Sequence, residues 1–122
     1  MLHKTKFTID TELIREANRN LDCFTDVKNV LNLSQGDPFY DSWRIKPEFR
    51  DSIWERILNT LPYDIGEARI IKLSPGTCYL QHADIDDRLH LNIKGEYSYL
   101  CDVDNAEMLL LENDGCWQEM DA

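Results

Sequence analysis

Apolar positions along the chain change period near Gly66. Before it they recur every three or four residues, the spacing of one helix face. Leu13, Ile14, Ala17 and Leu21 mark a first helix, with Asp10 or Thr11 as its cap. Phe49, Ile53, Ile57 and Leu61 mark a second, opened by Pro47 in its first turn and ended by Pro62. Between them, Asp26 to Leu33 reads as a short helical or irregular piece. Gly36-Asp37-Pro38 with Phe39, Tyr40 and Trp43 reads as a loop that packs on something else. Trp43 and Trp54 are expected as packing residues, not as platforms for a substrate.

After Gly66 the period is two. Strands are expected over Ala68–Leu73, Thr77–His82, Arg88–Ile93, Tyr97–Asp102, Glu107–Leu111 and Cys116–Met120. Turn-formers separate them: Ser74-Pro75-Gly76, Lys94-Gly95, Asp102 to Asn105, and Asn113-Asp114-Gly115. Short strands at this density suit a small barrel or a two-sheet roll. The fold class that follows is α+β, mainly β. It is one domain over 1–122, with a helical cap at 1–65 and an antiparallel β-roll at 66–122.

Composition narrows the function classes. The 122 residues are 43% hydrophobic and 30% charged, an ordinary globular balance. No apolar run approaches the roughly 18 residues that span a bilayer, and Met1 to Lys6 lead into no secretory apolar segment. Cysteines stand at 23, 78, 101 and 116 without a Cys-x-x-Cys pair. Four reduced, mostly buried thiols in a cytoplasmic protein are therefore expected, rather than a disulfide scaffold or a zinc ribbon. Net charge is −10, and 13 of the 23 acids, against 4 of the 13 bases, fall in residues 62–122. Such a surface repels a nucleic-acid backbone, so no nucleic-acid partner and no membrane partner are expected. An acidic nucleic-acid mimic rests on net charge alone.

Candidate chemistry concentrates in Leu80 to Asn92. Apart from His3, expected at a frayed end, the only histidines are His82 and His90. His82 and Asp84, at i and i+2, can point an imidazole and a carboxylate at one place. Arg88, His90 and Asn92 would share one strand face and Leu89, Leu91 and Ile93 the other, so that the polar face lines a cavity. Two histidines and a carboxylate on one face suit an iron(II) site with open positions. Arg88 can hold the carboxylate of an organic acid. The same residues have plainer readings. His82 can be a half-exposed strand histidine bonded to a neighbouring acid, His90 a satisfied core histidine, and Asp84 to Asp87 a solvated turn or a loose calcium site.

Pro75-Gly76-Thr77, four intervening residues, His82, and then Arg88-x-His90-Leu91 resemble the aspartyl/asparaginyl β-hydroxylases and the similar free-proline hydroxylases. Both are Fe(II)- and 2-oxoglutarate-dependent dioxygenases on a cupin-like double-stranded β-helix. The resemblance covers about residues 66–120 and leaves the front half unmatched. It implies that His82 and Asp84 ligate iron, while Arg88 and His90 contact 2-oxoglutarate. It also implies a small-molecule or peptide substrate, hydroxylated at an amino-acid or protein side chain.

The family's distal iron-binding histidine and its later arginine have no counterpart, because no histidine follows His90 and no arginine follows Arg88. The chain therefore reads as a β-helix incomplete at its C-terminus, with weak iron binding and little turnover. The alternative is a non-catalytic cupin-like binding or assembly module. Open sheet edges would then pair it into a homodimer, with Cys101, Cys116, Met108 and Leu109 to Leu111 serving packing.

Overall fold

The computed structural model describes residues 2–36, 42–74, 76, 87–96 and 98–120. Among these the protein is mainly β. Nine strands accompany two short α-helices, and the strands close no barrel. No helix among the described residues is long and apolar enough to cross a membrane. The chain divides into two compact units, Met1–Asn18 with Leu80–Ala122, and Arg19–Tyr79.

The first unit is organised on a three-stranded antiparallel sheet. Strand β1 (Leu2–Thr8) and strand β6 (Arg88–His90) flank strand β9 (Cys116–Met120). The last of these has the bounds that alternation predicts. Cys116, Trp117 and Gln118 are buried in succession, so both faces of β9 are covered at that point. Strand β1 has no clear sequence signature, since only Leu2 and Phe7 are apolar, and the residues it pairs with lie more than a hundred positions away. Its register sets Leu2 opposite Met120, His3 opposite Glu119 and Lys4 opposite Gln118. It then slips before Thr8 meets Cys116. His3, expected at a frayed end, is a strand residue whose Nε2 lies 3.1 Å from the Glu119 carboxylate.

Helix α1 (Thr11–Arg19) follows directly. The Asp10 carboxylate accepts the Glu12 N–H at 3.1 Å, and the Asp10 carbonyl accepts the Leu13 and Ile14 N–H groups. Asp10 is thus the cap. Ile14 and Ala17 are the buried stripe. Strand β7 (Tyr99–Asp102) and strand β8 (Glu107–Leu110) form a hairpin with Tyr99 opposite Leu110 and Cys101 opposite Met108. Ala106, at φ +52, closes its turn.

The second unit departs further from the expected helical cap. Asp26 to Leu33 contains strand β2 (Lys28–Val30) and the start of strand β3 (Asn32–Ser34). The former pairs with strand β5 (Arg69–Ile71), the latter with strand β4 (Trp43–Ile45). Three-residue strands are too short to display a period, so partners distant in sequence decide the outcome.

The second expected helix is interrupted. A 3₁₀ turn at Pro47–Phe49 stops at Arg50, Asp51 takes φ +59, and helix α2 covers only Ile53–Leu58. The Glu55 carboxylate accepts the Asp51 N–H at 3.2 Å and so restarts the helix from its own first turn. The apolar repeat still predicts burial: Ile53, Ile57 and Leu61 are all in the core. Beside them Phe24 stands edge-on to Trp54 at 5.0 Å and tilted against Phe49 at 5.9 Å.

In the first unit the Lys4 ammonium bridges Glu112 at 2.8 Å and Asp114 at 3.0 Å. Bonds to these two carboxylates raise the Lys4 pKa above its ordinary value. At Asp114 burial pushes upward, but the Lys4 ammonium and the Cys116 N–H outweigh it, and the net direction is down. Lys4 contributes stability that is present below its unfolded pKa of about 10.4, for as long as Glu112 and Asp114 stay ionised, and is lost as pH rises through its higher folded value. Asp114 contributes stability present above about 3.9 and lost on acidification through its lower folded value. Both side chains are about two-fifths exposed, so the network is worth only about 0.5–1 kcal/mol. Lys4→Met is expected to lower stability by that amount near neutrality and by nothing below the folded Asp114 pKa. Urea titrations of both proteins across acid and neutral pH check this. An unchanged gap in acid would assign the loss to packing rather than charge.

Candidate functional site

Strand β6 carries Arg88 and His90 at alternate positions, so both side chains leave the same face. Cross-strand pairing extends that face. Leu2, Met120 and Arg88 form one row, and Lys4, Gln118 and His90 form the next. The guanidinium and the imidazole therefore rise from one strand about 7 Å apart at their roots. Both residues are half-buried, and neither is without a partner. Met120 and Leu2 offer apolar surface beside the Arg88 stem.

Gln118 is a buried polar anchor on this same face, beside His90. It is fully buried, and its amide, oriented to donate, reaches the His90 carbonyl at 3.2 Å and the Cys116 carbonyl at 3.1 Å. A buried glutamine between Trp117 and Glu119 carries no sequence signal for this role, since alternation by itself places it on either face.

Asn92 corrects the expected cavity face. It is buried, and its amide donates to the Gly95 carbonyl at 3.0 Å and the Leu111 carbonyl at 2.8 Å. Strand β6 ends at His90, so the alternation of Arg88, His90 and Asn92 is broken before Asn92. Asn18 donates to the Ile93 carbonyl at 2.7 Å, and Asn113, suitably oriented, reaches the Asn92 and Ile93 carbonyls. Three asparagine amides thus hold the turn after β6. Asn92 is a clamp for backbone, not a lining group.

The expected strand Thr77–His82, the two iron-ligand candidates His82 and Asp84, and Asp86 lie outside the described residues. Asp87 is exposed and immediately precedes β6. Among the described residues no group of three His, Cys, Asp or Glu side chains could hold a metal ion.

The thiols differ from expectation. Cys23 and Cys101 are exposed and only Cys116 is buried among the described cysteines, all three free; Cys78 lies outside the described residues. Burial pushes the Cys116 thiol up, with the Asp114 carboxylate adding to it. Its Sγ–H donates to the Thr5 carbonyl at 3.3 Å, so it behaves as a β1–β9 packing group rather than a nucleophile. Known protein families and curated proteins provide no match to this chain.

Proposed function

We propose that the chain is an Fe(II)- and 2-oxoglutarate-dependent hydroxylase of cupin-like fold, acting on an amino acid or a protein side chain. The observation that supports this most is the placement of Arg88 and His90 side by side on one face of β6, in an antiparallel sheet. Arg88 would clamp one carboxylate of 2-oxoglutarate through its fork of N–H donors. His90 would donate a second hydrogen bond to the same carboxylate. His82 and Asp84 would hold the metal. Iron(II), when bound, supplies the oxygen chemistry, and the chain supplies orientation and the binding charge.

Charge makes a specific demand here. Residues 62–122 contain 13 acids and 4 bases, so a dianion is repelled unless a local cation receives it. On this face Arg88 would be that cation, because the Lys4 ammonium in the next row is held by Glu112 and Asp114. Arg88→Ala is expected to weaken 2-oxoglutarate binding at least tenfold, since a hydrogen bond to a charged group contributes about 1.5–3 kcal/mol. Anaerobic calorimetric titration of 2-oxoglutarate into the iron-loaded wild type and variant reads this as a ratio. Equal affinities would remove the proposal.

A second reading, an assembly module that pairs two copies, is supported by the β7–β8 hairpin. Tyr99, Cys101, Met108 and Leu110 share one face of it and all are exposed. Two copies would bring like charges together, so pairing through this face is expected to strengthen as salt screens them. Sedimentation equilibrium over a salt series tests it. A monomer at every salt and protein concentration excludes this reading.

A further inference from the structure

The Arg19–Tyr79 unit carries a half-open pocket of about 250 Å³ that the proposed function does not use. Its walls come from β3, β4, α2 and the segment that follows α2. Trp43 and Ile45 leave the same face of β4, because they are two residues apart on a strand. Glu55, Leu58 and Asn59 come from α2 and its end, and Tyr63, Asp64 and Ile65 from the segment after Pro62. Asn32 fastens the far side. It is 4% exposed, its amide donates to the Gly66 carbonyl at 2.7 Å, and its oxygen accepts the Ala68 N–H at 2.9 Å.

Its chemistry selects a ligand class. Two aromatic side chains, Trp43 and Tyr63, and two carboxylates, Glu55 and Asp64, line it, and no lysine, arginine or histidine does so among the described residues. Carboxylates without a basic neighbour favour a cation. Aromatic faces favour a weakly hydrated organic cation over a small, strongly hydrated metal ion, which they cannot coordinate. Apolar Ile45, Leu58 and Leu61 favour carbon around the charge. The volume lies just below the range for drug-sized ligands, so the guest is small.

We infer that this cavity, walled by Trp43, Tyr63, Glu55 and Asp64, binds a small organic ammonium ion. Choline and its uncharged carbon isostere dimethylbutanol are suitable probes, because they differ in charge but hardly in shape. Choline is expected to shift the Trp43 indole resonance in a saturable way, with Trp43→Phe identifying that signal. Glu55→Gln and Asp64→Asn are each expected to weaken choline roughly two- to fivefold, as for a partly exposed ion pair. Trp43→Ala is expected to weaken it roughly three- to thirtyfold. Glutamine can still accept the Asp51 N–H, and Asp64 is exposed, so both carboxylate variants retain the fold. Dimethylbutanol binding as well as choline, or magnesium displacing choline from the Trp43 site, would overturn the inference. So would non-saturable choline shifts.

Discussion

Gly115→Ala is expected to destabilise the first unit by about 3 kcal/mol or more. Gly115 is buried at φ +77, a conformation that costs a residue with a Cβ about 1–2 kcal/mol. The added methyl would also stand 2.6 Å from the Ile9 carbonyl oxygen, which is backbone and cannot rotate away. The same Ile9 donates its N–H to the Gly115 carbonyl at 2.8 Å, so any shift that relieves the clash breaks this bond. That contact joins the end of β1 to the start of β9. Gly66→Ala is the control, because nothing lies within 4 Å of its added methyl and its φ is not positive; its cost should be small. Urea denaturation of the two variants measures the difference. A Gly115→Ala protein within about 1 kcal/mol of wild type would mean that Ile9 and Gly115 do not pin the register.

Trp54→Ala is expected to cost about 3–5 kcal/mol, the range for deleting a large buried aromatic. Trp54 is 4% exposed and holds Phe24 edge-on at 5.0 Å. Phe24 in turn touches Phe49, so the variant loses the ring that links the chain before β2 to the start of α2. Typical domains have only about 5–15 kcal/mol of stability, so this loss is a large share of the whole. Amide exchange should then rise across β2–β5 and β3–β4. Trp54→Phe keeps a ring in the site and should recover much of the protection. Undiminished protection in Trp54→Ala would show that this cluster is not the core of the second unit.

Legibility followed length and locality. The strand expected over Cys116–Met120 is observed to the residue, although Cys116, Trp117 and Gln118 are buried in succession and so show no alternation of burial. The Asp10 cap and the Ile14 and Ala17 stripe are equally local and equally readable. Burial of Ile53, Ile57 and Leu61 was readable too, but helix continuity was not. Asp51 in the left-handed region is a local conformation that the apolar repeat cannot register. The site was legible in part. Arg88 and His90 fall on one face as their spacing requires, whereas Asn92 does not, because its amide is committed to two turn carbonyls. Trp43, expected only to pack, also lines a cavity.

By itself the sequence determined the mainly β character of the second half, the acidic surface and the alternation of Arg88 with His90. Each depends on residue type and neighbours within a few positions. Only the tertiary structure decided that β1 belongs beside β9, that Gln118 sits buried next to His90, and that Trp43, Glu55, Tyr63 and Asp64 line one pocket. These depend on pairings and packing between residues from about ten to more than a hundred positions apart. Backbone hydrogen bonding is the same for every sequence, so no local pattern names the partner.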